Sequence, residues 1–255
     1  MTRQIKNIIA ITAFLICIGL INFAGQNIDI EIRGVNAFTF ILIVAVLLQI
    51  IFFIPSFLLK TEKYYDLVGS LTYVTTVSLA YFAVENKTMI DSIIYFYVMV
   101  WALRLGIYLF RRVRNDGKDV RFEKAKRHFF WFLQYWMGQA LWVTLTACAA
   151  IIAILSPEDD TLPVLAIFGM ALWLSGFTIE SISDYQKRAF RKENNPSESF
   201  IHTGLWARSR HPNYFGEITL WTGIAVIALN TLTGIEYITL ISPVFVYILL
   251  TRMSG

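Results

Sequence analysis

Two arginines, a histidine, an asparagine, a tyrosine and a glutamate crowd into residues 208–217, within the run Gly-Leu-Trp-Ala-Arg-Ser-Arg-His-Pro-Asn-Tyr-Phe-Gly-Glu that spans 204–217. The chemistry this set offers is anion binding. Pro212 suits the first turn of a helix, and residues 213–230 are mostly apolar, so the polar cluster stands at the mouth of a membrane span. Exposed N–H groups, the positive end of the helix dipole and guanidinium groups together favour a phosphate. Asn213 and Glu217 are four apart and face the same way, and Gly216 between them admits another backbone or a ligand. Arg208 alone reads as the ordinary positive anchor of a span, but an anchor has no use for Arg210, His211, Asn213, Tyr214 and Glu217 around it.

Three more sets carry polar chemistry into apolar surroundings. Arg104, Tyr108, Arg111 and Arg112 share one helical face, with Arg104 two turns, or about 10 Å, deeper than the last two. A charge inside a span costs about 2.5–3.5 kcal/mol, so Arg104 either snorkels to the interface or meets a ligand or carboxylate. Glu180, Asp184, Lys187 or Arg188, and Arg191 form a stripe along a helix leaving the sixth span. That stripe is either a helix end laced with ion pairs or a binding face. Asp66, Ser70 and Tyr73 recur at i, i+4 and i+7 where the third span begins. They read as an acid/base pair reaching into a cavity, or as a capping Asp beside an interfacial Tyr.

The elements that position these residues are membrane helices. The chain has 255 residues, 56% of them hydrophobic, and a mean hydropathy of +0.58. A span needs about 20 apolar residues. Eight candidates follow: 8–25, 36–59, 67–84, 90–110, 131–155, 161–179, 213–230 and 235–252. The fold class is an all-α polytopic transmembrane bundle with a cytosolic cofactor cavity, built as one membrane domain over residues 1–255. Nineteen of the 22 lysines and arginines fall on one side of these spans, Arg33 and Lys87 on the other, and Arg104 within one. The positive-inside rule then puts both termini and all four polar clusters on the cytoplasmic side. The opposite loops are short and acidic, as at 157–160. The expected location is an inner membrane of bacterial type or the endoplasmic reticulum. Cys17 and Cys148 lie in apolar spans, and His128, His202 and His211 lack a metal-ligand spacing, so no disulfide or metal site is expected. Membrane lipids and a lipid-like small molecule are the expected partners, and nucleic acid is not.

Three motifs in order give the chain a family resemblance: Trp-x-Leu-Arg-Leu-Gly from Trp101, Ser-Asp-x-Gln-Lys-x-x-Phe-Arg from Ser183, and the Ser-Arg-His-Pro-Asn-Tyr-Phe-Gly-Glu run ending at Glu217. Together they resemble the DUF1295 branch of the steroid 5-alpha-reductase-like membrane enzymes, from about residue 60 to the C-terminus. Arg-His-Pro with the following Tyr also occurs in isoprenylcysteine carboxyl methyltransferases and sterol C14-reductase relatives. The resemblance implies an NADPH-dependent reduction of an enone carbon–carbon double bond in a steroid-like or other lipid. It implies that Glu180, Asp184, Arg191 and Asn213 hold the dinucleotide and that Arg104 meets a phosphate. Arg111, Arg210, His211, Tyr214 and Glu217 complete the expected cofactor set.

Two departures matter. Steroid reductases polarise the substrate carbonyl with a Glu and a Tyr; here Trp101 stands at the Tyr position, and the second span offers Gln49 and no Glu. Asp66 and Tyr73 are the expected replacements. The relatives also continue past the Ser-Gly that ends this sequence, so part of their cytosolic tail is expected to be missing. The alternative reading is an S-adenosylmethionine-dependent lipid or isoprenylcysteine-type methyltransferase. That ligand carries no phosphate and needs fewer arginines.

Overall fold

A computed structural model describes residues 2–116, 122–156, 162–193 and 200–253. The acidic loop at 157–160 lies outside the described residues, as do Lys118, Arg121 and the side chain of Arg112. The described residues form eight α-helices: α1 (Arg3–Ile21), α2 (Ala37–Leu58), α3 (Tyr65–Ala83), α4 (Met89–Asp116), α5 (Phe129–Leu155), α6 (Val164–Glu193), α7 (Pro212–Ala228) and α8 (Ile241–Ile248). The protein is an all-α polytopic bundle. Each of the eight expected spans overlaps one of these helices, with bounds that differ by up to fourteen residues.

Six segments are long and apolar enough to cross a membrane: Arg3–Gly25, Ala37–Leu58, Met89–Arg111, Phe129–Leu155, Val164–Lys192 and Gly234–Arg252. The two expected spans that fall short do so for different reasons. Helix α7 has only 17 residues. Helix α3 is long enough at 19 residues but is diluted by Asp66, Ser70, Thr72, Tyr73, Thr75, Thr76 and Ser78. The last span is not one regular helix. A 3₁₀ stretch, Gly234–Leu240, leads into α8, which ends in the wider turn Leu249–Met253. Pro243 at the start of α8 lacks an N–H and cannot continue a helix that began upstream. Between α1 and α2 a two-residue hairpin pairs Glu31–Ile32 with Val35–Asn36, turning on Arg33 (φ 54°) and Gly34 (φ 76°).

The chain divides into two compact units, each described by itself. The first is Met1–Thr161 with Thr231–Thr239, and the second is Leu162–Asn230 with Leu240–Gly255. In the first, α5 is the central helix, with α1, α2 and α3 packed on it. An aromatic cluster of Phe53, Phe122, Phe132 and Trp136, with Tyr65 tilted against Phe122 and Trp136, fills one end. Behind it α3 fits closely between neighbours. A Cβ on Gly69 would lie 2.6 Å from Gln139 Nε2 on α5, and one on Gly106 of α4 would lie 2.8 Å from Ser70 Oγ. Gln49, fully buried on α2, donates to Thr72 Oγ1 at 2.8 Å. The polar face of α3 is therefore turned into the unit, which is why so polar a helix is tolerated in membrane-like surroundings.

The second unit is built on a tighter contact. The buried residues of α6 run Ala166, Gly169, Trp173, Gly176, Glu180, Ser183, alternating three and four apart, which is the seam of an antiparallel helix pair. Two glycine pairs lie on it. A Cβ on Gly176 would be 2.5 Å from the carbonyl oxygen of Gly216, and one on Gly169 would be 2.7 Å from that of Gly223. The reverse contacts are as close, with Gly216 against the backbone N of Glu180 and Gly223 against that of Trp173, at 2.5 and 2.6 Å. Small residues let backbones approach where no hydrophobic force joins helices in lipid. A methyl group has nowhere to go here, so Gly176→Ala and Gly216→Ala should each destabilise the protein by about 1–3 kcal/mol. Gly138→Ala on α5, whose Cβ meets only Phe14 at 3.5 Å, should be neutral or slightly stabilising. Thermal unfolding of the three variants in detergent checks the contrast.

Candidate functional site

The glycine contacts fix where the buried acids of the second unit stand. Because Gly216 lies against the backbone of Glu180, Glu217 and Glu180 come from adjoining turns of α6 and α7. Asp184 is one turn further along α6. All three are buried: Glu180 is 2%, Asp184 6% and Glu217 9% exposed. Burial of three carboxylates at one helix end carries a large desolvation cost, which their surroundings must offset.

Three other buried acids hold local structure. Asp91 accepts from the backbone N of Thr88 at 2.8 Å and the Asp91 N–H meets Thr88 Oγ1 at 3.2 Å, closing the start of α4. Glu236 does the same for Thr233 and accepts from Ser156 Oγ at 3.2 Å. Glu62 takes Lys126 Nζ at 2.7 Å. The Thr-x-x-Asp and Thr-x-x-Glu spacings of the first two are capping signals visible in the sequence.

The segment before α7 is tied down by residues that the sequence reading treated as motif alone. Gly204 takes a positive φ of 61° with the Gln186 side chain packed where a Cβ would be. Gln186 Oε1 then accepts the Leu205 N–H at 3.0 Å, and Trp206 Nε1 donates to the Ser183 carbonyl at 3.1 Å. Lys187 covers the Trp206 ring at 5.1 Å. The Gly-Leu-Trp and Ser-Asp-x-Gln-Lys motifs are thus two halves of one clasp. It holds Arg208 and Arg210, both exposed, at the same end of α6 as Arg188 and Arg191, which are exposed too.

The first turns of α7 divide the expected cofactor set between two faces. Asn213, Gly216 and Glu217 turn toward α6, and Asn213 Oδ1 is buried with no hydrogen-bond partner. His211, Tyr214, Phe215 and Ile218 turn the other way and line a cleft with Leu250 and Thr251. The rings of His211 and Tyr214 stack at 4.8 Å and 11°. Spacing along a helix decides this split: residues 213 and 217 share a face that 214 and 218 do not.

In the first unit, Asp66, Ser70 and Tyr73 do share a face of α3. Asp66 is half-buried in the first turn, where the helix dipole favours a carboxylate, and Tyr73 is only 4% exposed. Tyr73 meets Trp101 edge-on at 5.0 Å and 87°. Arg104, one turn beyond Trp101 on α4, is half-buried, while Arg111 is exposed. A cleft of about 480 Å³ opens along α3 beside Val74, Ser78 and Phe82. It lies on the side of α3 away from Ser70 and Tyr73 and so does not extend the expected acid/base pair. Among the described residues no group of three His, Cys, Asp or Glu side chains is arranged to hold a metal ion.

A family model described as a protein of unknown function, DUF1295, matches residues 52–255. The chain belongs to the DUF1295 family. No solved structure matches it. The matched DUF1295 region contains α3 to α8 and with them every candidate residue above. Within this DUF1295 chain, Trp206→Phe keeps the ring and removes the bond to Ser183, worth about 1 kcal/mol. Gln186→Ala opens the space behind Gly204. Both variants should speed tryptic cleavage after Arg208 and Arg210 in the folded protein while leaving the overall helix content intact. Limited proteolysis followed by mass spectrometry measures this.

Proposed function

We propose that this protein is an NADPH-dependent membrane reductase acting on a carbon–carbon double bond of a steroid-like or other lipid enone. The observation that carries the reading is the junction of α6 and α7: three buried acids and the unpartnered Asn213 Oδ1, flanked by Arg188, Arg191, Arg208 and Arg210 at the surface. Carboxylates accept hydrogen bonds from ribose hydroxyls, and a buried amide oxygen accepts from a carboxamide N–H₂. Arginines pair with phosphates in fork geometry. A dinucleotide offers all three kinds of group. In this reading Glu180, Asp184, Asn213 and Glu217 hold the nucleoside portion, and Arg191 and Arg210 hold phosphates. The cofactor supplies hydride, and the protein supplies orientation and charge.

Within the first unit, Asp66 and Tyr73 are the candidate proton donors, and Arg104 and Arg111 are candidate cations for a phosphate. Tyr73, packed against Trp101, is held in one orientation, which a general acid requires. The multiplicity of arginines favours NADPH over S-adenosylmethionine, which has no phosphate. A cytosolic site is supported by the positive-inside rule, which assigns the lysine- and arginine-rich loops to the cytosolic side.

Titration calorimetry in detergent tests the reading. NADPH should bind, and S-adenosylmethionine should not. Asn213→Ala and Asp184→Asn should each weaken NADPH about tenfold, the worth of about 1.4 kcal/mol. Arg191→Ala should cost more for NADPH than for NADH if that arginine meets the extra phosphate. Binding of S-adenosylmethionine without NADPH would replace the reductase reading with the methyltransferase one.

A further inference from the structure

The cleft on the far face of α7 is a second site. It has a volume of about 260 Å³ and lies between the first turns of α7 and the C-terminal turn that follows α8. Phe215, Ile218 and Leu250 supply apolar walls, and His211, Tyr214 and Thr251 supply polar ones. A cation adjoins each wall in sequence, Arg210 beside His211 and Arg252 beside Thr251, and both arginines are exposed. Phe215 is 59% exposed and Tyr247, one turn before Thr251, 54%. The cleft thus joins apolar and aromatic walls, with an exposed arginine next in sequence to each.

We propose that this cleft binds one anionic phospholipid, with an acyl chain along Phe215, Ile218 and Leu250 and the headgroup phosphate at Arg252. Three arguments favour a lipid over other occupants. One wall belongs to Gly234–Arg252, one of the six segments fit to span a bilayer. The cations stand on the side rich in lysine and arginine, where the anionic lipids of the cytoplasmic leaflet lie. Tyr214 and His211, stacked at 4.8 Å, are the amphipathic rings that settle at headgroup level. The cleft and the Asn213–Glu217 face belong to opposite sides of one helix, so lipid binding here stands independently of the nucleotide reading.

Thermal unfolding of the full chain in detergent tests this with three additives: dioleoylphosphatidylglycerol, dioleoylphosphatidylcholine and glycerol phosphate. The anionic lipid should raise the midpoint, and the zwitterionic lipid and free glycerol phosphate should not. Arg252→Gln should lower the apparent affinity for the anionic lipid about fivefold, the effect of one interfacial charge, and Arg252→Lys should restore it. Thr251→Trp closes the cleft from an exposed position and should abolish the response without loss of folding. Equal stabilisation by the zwitterionic lipid would overturn the proposal. So would the same shift from glycerol phosphate alone, or an anionic-lipid response that survives both Arg252→Gln and Thr251→Trp.

Discussion

The close approach of α6 and α7 is the constraint on which the second unit depends. Gly169 with Gly223 and Gly176 with Gly216 bring two backbones into direct contact, with no room for a Cβ at any of the four. Helix pairs in lipid gain little from the hydrophobic effect and rely on packing of this kind. Glu180 stands one turn beyond Gly176 and Glu217 directly follows Gly216, so the geometry that makes the helices fit also buries both carboxylates near this contact. A wider spacing would leave them in solvent, where a carboxylate has no special property.

The clasp made by Ser183, Gln186, Gly204 and Trp206 extends this order past the end of the helices. It ties the segment before α7 to the end of α6, where exposed Arg188, Arg191, Arg208 and Arg210 lie. Positive and negative groups are thereby kept in separate positions on one surface: arginines outside, carboxylates and Asn213 inside. That distribution suits a ligand with phosphates at its exposed part and sugar or amide groups at its enclosed part. The first unit follows a different principle. Its interior is polar around α3, where Thr72 meets Gln49 of α2, Gly69 meets Gln139 of α5 and Ser70 meets Gly106 of α4, with Tyr73 and Trp101 packed edge to face.

Most of the fold was legible in the sequence because apolar runs of membrane length leave few alternatives. All eight helices overlap runs that predicted them, though the last run is broken by a 3₁₀ stretch and a wide turn. What was not legible was how they pair. Gly169, Gly176, Gly216 and Gly223 are visibly seven apart within each helix, but only the antiparallel register shows that they oppose each other. The site was legible as residue types and less so as geometry. The run from Arg208 to Glu217 reads as one cluster along the chain, whereas the helix turns Asn213 and Glu217 toward α6 and His211 and Tyr214 toward the C-terminal turn. Trp206 and Gln186 read as family signature, and their hydrogen bonds show them holding the loop. The small hairpin at Arg33–Gly34 escaped notice because two-residue strands leave no hydrophobic pattern.

The central claim is that the ends of α6 and α7, with the clasp between them, form the nucleotide site. Hydrogen–deuterium exchange measured with and without NADPH tests it at the level of segments. The account predicts slower exchange across residues 180–186 and 204–217 when NADPH is present, with α1 unchanged. Unaltered exchange in both segments of a folded protein at saturating NADPH would contradict it.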